Sequence, residues 1–117
     1  MSGAAAVAAA LLLSACAGKA SDPVPNADPS RGAAVIEGYG CGSCHVIPGI
    51  DGANGTVGPP LGGLASRRYL AGQLPNSVDN AVRWIMDPHG ISPDTVMPDL
   101  GLNEAQARDI VGYLYAH

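Results

Sequence analysis

The chain has 117 residues, 47% of them hydrophobic and 14% charged, enough for one small domain and too few for a two-domain enzyme. Lys+Arg 6 against Asp+Glu 10 gives a net charge of −4, which argues against a basic nucleic-acid binder. Aromatic residues make up 4% and Phe is absent, so a chain this small needs some other bulky group to fill its core.

Residues 1–13 (MSGAAAVAAALLL) form an uncharged apolar run, too short to span a bilayer but of the length of a signal-peptide core. The run ends in Leu13-Ser14-Ala15-Cys16, which resembles the lipobox of a bacterial lipoprotein, although no Lys or Arg precedes it. The expectation is a signal peptide over 1–15 and a lipidated Cys16 opening a flexible tether over 16–27, followed by a folded domain over 28–117. An acylated Cys holds a protein on a membrane without a spanning helix. The alternative is an ordinary cleaved signal that leaves Cys16 as a free thiol. The small, Pro-containing stretch after Cys16 has a semi-extended reach of about 30 Å.

Asp28-Pro29 reads as a helix start, an N-cap followed by Pro at the first helical position. Gly32, Val35, Ile36 and Tyr39 then follow at helical spacing. A second stripe, Val78, Ala81, Val82 and Ile85, begins after Asn76-Ser77 and is expected to stop at Pro88. A third, Ala107, Ile110, Val111 and Leu114, is opened by Asn103 with Gln106 three residues on, a capping-box pair. Leu61 to Ala71 is a candidate for a fourth short helix. No run alternates with period two, so strands are not expected. The fold class is therefore all-α, three to four short helices joined by long loops rich in the chain's 16 Gly and 10 Pro.

Cys41-Gly42-Ser43-Cys44-His45 is the attachment pattern for a c-type haem. Two thiols three residues apart on one turn can each form a thioether with a vinyl group, and the next residue aims its imidazole at the iron. One haem c, covalent through Cys41 and Cys44, would also supply the large apolar body that the composition lacks. Structural zinc needs four ligands, and beyond this motif only the separated His89 and His117 remain. A thioredoxin-like dithiol calls for flanking strands, for which no pattern is present.

His45 would fill one axial position of the iron, and the candidates for the other are Met97, Met86, His89 and His117. Met97 precedes Pro98, which biases its backbone away from helix, and it lies in a strap with Pro88, Pro93 and Pro98 that cannot continue a helix. Met86 sits on the second helical stripe, where a core role is the simpler reading. His89 would make a bis-His site, and His117, as the last residue, is expected to fray. A packed core Met remains the alternative for Met97.

With Cys41, Cys44, His45 and Met97 in this order, the chain resembles a class I monohaem cytochrome c over about residues 28–117. Gly58-Pro59-Pro60-Leu61 is similar to that family's Gly-Pro-x-Leu segment, which implies that the Pro59 carbonyl orients His45. The segments LASR, AGQLPN, WIMDP, MPDLGL and VGYL look most like the cytochrome c domain fused to subunit II of haem-copper oxidases. By that resemblance Arg67 and Trp84 would bond haem propionates; a surface Arg and a core Trp are the alternative. Gly32 and Tyr113 would meet where the terminal helices cross, with Ile36 standing where the family often has an aromatic. No copper site is present in the sequence, and Lys19 is the only lysine, so a lysine-ringed docking face does not carry over. A small patch of Arg67, Arg68 and Arg83 and a mostly apolar face both remain open.

These readings imply a non-enzymatic one-electron carrier, anchored by lipid in the bacterial cell envelope with its haem domain on the periplasmic or outer face of the cytoplasmic membrane. It would pass electrons between redox proteins such as a terminal oxidase or a quinol-oxidising complex. The alternatives are a fixed subunit of a larger respiratory or dehydrogenase complex, and a haem-based gas sensor in which Met97 is displaceable.

Overall fold

The computed structural model describes residues 3–6, 8 and 23–117. Cys16, the signal-peptide cleavage point and most of the expected tether lie outside the described residues. Among the described residues no helix is long and apolar enough to cross a membrane.

Helix α1 spans Pro29–Gly38, with Pro at its first position and the Asp28 side chain accepting from the Ser30 and Arg31 amides. It ends where Gly40 takes a left-handed φ of 72°, so Tyr39 caps the helix instead of extending its apolar stripe. Helix α2 spans Val78–Met86, capped by Ser77, and buries Ala81, Val82 and Ile85. Pro88 ends it as expected but also opens a further short helix, α3 (Pro88–Ile91), capped by Asp87. The ring that cannot continue one helix is pre-set for the first position of the next. Helix α4 spans Glu104–Tyr115 and carries the complete Asn103–Gln106 capping box.

The helical part of the stretch 61–71 is one 3-10 turn, Leu64–Ser66, preceded by Gly63 at a left-handed φ of 67°. It leads into a two-residue antiparallel ladder, β1 (Tyr69–Leu70) against β2 (Leu74–Pro75). Strands this short show no alternation, which is why the sequence pattern misses them.

Helices α1 and α4 cross at Gly32. A β-carbon there would overlap the Asp109 carbonyl and lie 3.1 Å from Tyr113 Cβ. The close approach leaves Ile36 1% and Val111 0% exposed, so Ile36 fills the crossing without an aromatic. Asp109, 5% exposed, accepts from the Asp28 amide at 2.7 Å and from Arg31 Nε at 3.0 Å, as a buried carboxylate must. Val24 is buried at 8%, and Ala27 packs so tightly on Gly112 that a β-carbon at 112 would come within 2.7 Å of Ala27 Cβ. The last residues of the expected tether thus belong to the fold.

The C-terminus is held, not frayed. The His117 ring stacks on Tyr113 with centroids 4.0 Å apart, its Nδ1 bonds the Tyr113 carbonyl at 2.8 Å, and its own carbonyl accepts from Gly63 N. Tyr113 in turn donates its hydroxyl to Pro48 O at 2.6 Å.

Candidate functional site

The Cys41–Ser43 turn is a 3-10 helix that follows α1 directly, with the His45 amide bonding back to Cys41 O at 3.1 Å. The chain then folds back over it. The Gly55 amide donates to Gly42 O at 3.0 Å and the Gly58 amide to Cys44 O at 2.7 Å. Gly42 faces Ala53 and Gly55 faces the Ser43–Cys44 backbone, each too close for a β-carbon. The Gly-rich loop therefore packs on the motif's own main chain.

Gly58 and Pro59 set the imidazole. A β-carbon at Gly58 would overlap the His45 ring, and His45 Nδ1 lies 2.7 Å from Pro59 O. A carbonyl oxygen only accepts, so Nδ1 carries a proton, and Nε2 is the ring nitrogen left for a metal.

Cys41, Cys44, His45 and Met97 all line one cleft of about 440 Å³, within the range of cofactor sites. Its remaining walls are mainly apolar, among them Leu61, Leu64, Leu70 and Ile85. Arg67 and Trp84 line it too. Both are half-buried, and the Arg67 guanidinium donates to the Pro60 and Gly62 carbonyls. Met86, His89 and His117 are not among the lining residues. Met86 is half-buried against the core, and His89 bonds Thr95 O at 3.1 Å.

Cys41 and Cys44 are not bridged to each other by a disulfide, and burial pushes the Cys41 thiol above its ordinary pKa. A catalytic dithiol shows the opposite shift. Among the described residues no cluster of three or more His, Cys, Asp or Glu could hold zinc. Two unbridged cysteines beside an imidazole oriented by Pro59, opening on an apolar cleft, fit a flat apolar macrocycle joined through sulfur.

Two contributors escape sequence reasoning. Asn76, read only as part of a helix start, donates to the Leu64 and Arg67 carbonyls, both at 2.8 Å, and accepts from the Tyr115 hydroxyl. It ties the 3-10 turn beside Arg67 to α4, and a polar residue just before an N-cap is the only sequence signal for it. Asp109 is the other, an acidic residue at i, i+4 to Tyr113 on the inward face of α4.

The family model described as Cytochrome c matches residues 29–116. Over 86 residues the chain is 31% identical to cytochrome c oxidase subunit 2 of Alkalihalophilus pseudofirmus, an alignment covering 73% of this chain and 24% of that protein. The chain thus spans about a quarter of that relative's length. The structure of cytochrome c2 from Rhodobacter sphaeroides superposes with a TM-score of 0.52 at 24% identity, covering 75% of this chain and 94% of that one, which shows the shared fold. The chain belongs to the cytochrome c family, whose covalently bound haem c matches the Cys41-to-His45 motif and its cleft.

Proposed function

We propose that this chain is a one-electron carrier with His45 and Met97 as the axial ligands of its haem iron. The observation that carries this reading is that both residues line one apolar cleft while the Pro59 carbonyl engages His45 Nδ1, which leaves Nε2 as the ring nitrogen available to a metal. When bound, the haem iron would supply the redox change, and ligation by His45 and Met97 would favour its reduced state. The chain's part is to hold both ligands through the cycle, exclude water with apolar walls and keep the imidazole in one tautomer. Arg67 and Trp84 also line the cleft, and in this reading they would meet the charged edge of the group. If His45 and Met97 both held the iron, the chain would leave no position for a substrate, and no turnover is assigned to it.

Lipidation at Cys16 would anchor the domain to the outer or periplasmic face of a bacterial cytoplasmic membrane, between a donor such as a quinol-oxidising complex and a terminal oxidase. The apolar run ending in Leu13-Ser14-Ala15-Cys16 supports this. Mass spectrometry of the purified exported protein tests the anchor: acyl chains on Cys16 are expected, and a fully soluble unacylated protein contradicts it. A fixed-subunit reading draws support from the oxidase relative, of which this chain matches 24%. Co-purification with a partner at constant stoichiometry in mild detergent would establish that reading, and a free monomer would exclude it.

A further inference from the structure

The segment that presents Met97 is organised around Thr95. The Thr95 amide donates to Ser92 O at 3.0 Å, and Ser92 N donates to Pro88 O at 2.8 Å. The Thr95 hydroxyl oxygen accepts from the Met97 amide at 3.2 Å. The Thr95 carbonyl lies 3.1 Å from His89 Nε2 and can only accept, so that nitrogen carries a proton. His89 rides on α3, whose start is fixed by Asp87 Oδ1 accepting from Gly90 N at 3.0 Å. Asp87 in turn caps α2 through its amide, bonded to Arg83 O. Hydrogen bonds joined through the α3 backbone thus run from the core-packed α2 to the backbone of Met97.

We infer that Thr95 and His89 are positioning residues that hold the Met97 thioether at the haem iron, an inference that rests on reading Met97 as the axial ligand. Pro93 and Pro98 restrict φ on either side of this segment but supply no amide donor. The Met97 amide and the Thr95 carbonyl are the two main-chain groups beside the sulfur-bearing residue that side chains restrain directly. Without those bonds the strap samples more conformers, and the sulfur spends more time away from the metal.

The test is titration of the ferric holoprotein with free imidazole, which competes with Met97 for the iron and is read from the visible spectrum. Losing one such hydrogen bond is expected to raise the apparent imidazole affinity about two- to tenfold. Thr95→Val and His89→Leu should show that rise. Thr95→Ser, which keeps the hydroxyl, and His89→Gln, which keeps a donor, should move back toward wild type. A residue serving only overall stability would lower the thermal midpoint of the Val and Leu variants without changing the imidazole titration at 25 °C, and that result overturns the inference. Met97→Ala is the control for the underlying reading. If it leaves the imidazole affinity and the ferric spectrum at wild-type values, Met97 is not the ligand. If it changes both while Thr95→Val and Thr95→Ser match wild type, only the positioning role falls.

Discussion

Gly58 presses against the imidazole of His45 so closely that a β-carbon at position 58 would overlap the ring. Gly58 is not among the positive-φ glycines, so the contact requires glycine and the backbone conformation does not. Gly58→Ala should push the imidazole from its place and strain the 2.7 Å bond to Pro59. The expected cost is about 1–3 kcal/mol in stability, typical of overpacking, together with a perturbed ferric spectrum. Chemical denaturation and a visible spectrum of the same sample check both.

The two methionines nearest the site separate by position. Met97 lines the cleft and Met86 does not. Met97→Ala should abolish the weak ferric Met–iron band and lower the reduction potential. Met86→Ala should leave both unchanged and cost about 2 kcal/mol, the low end for a truncated core Met, because the residue is only half-buried. Redox potentiometry with denaturant titration distinguishes these outcomes.

The crossing of α1 and α4 gives a case in which two effects oppose. Gly32→Ala gains about 1 kcal/mol of helix propensity. Its β-carbon would meet the Asp109 carbonyl, a backbone group that cannot swing aside, and overpacking of this kind costs about 1–3 kcal/mol or more. The Asp109 carbonyl is fixed backbone, so the cost should fall at the upper end of that range, about 3 kcal/mol, leaving a net loss of about 2 kcal/mol in equilibrium unfolding.

Asp109 carries a pH signature. The side-chain hydrogen bond from Arg31 holds its carboxyl below the usual carboxylate range, and the Asp28 amide adds to this against the opposing effect of burial. A depressed native pKa means stabilisation that is present above the unfolded value of about 4 and lost as the pH falls through the native value. Wild type should therefore lose stability relative to Asp109→Asn when the pH is taken from 7 to 3. Arg31 is largely exposed, so salt should weaken part of the effect. Denaturation midpoints at the two pH values, at low and high salt, check the sign.

Much of this was readable from local signals. Asp28-Pro29, Ser77 and the Asn103–Gln106 pair each satisfy orphan amides at a helix start, and such caps lie within four residues of sequence. The Cys41-to-His45 spacing is equally local. The rest depends on contacts distant in sequence. Nothing next to Gly42 or Gly55 tells that Ala53 or the Ser43 backbone will lie against it. Asp109 looks like any charged residue of a surface helix until α1 brings Asp28 and Arg31 to it. Tyr39 fits the helical period, yet Gly40 ends the helix first. His117 is terminal in sequence but is tied down by Tyr113 and Gly63.

The visible absorption spectrum of the purified holoprotein in both oxidation states bears most directly on the carrier assignment. A red protein is expected, with a reversible one-electron change, an alkaline pyridine spectrum of two thioether bonds and a ferric Met–iron band. A folded but colourless chain, or one whose haem lacks that band and binds external ligands freely, would contradict it.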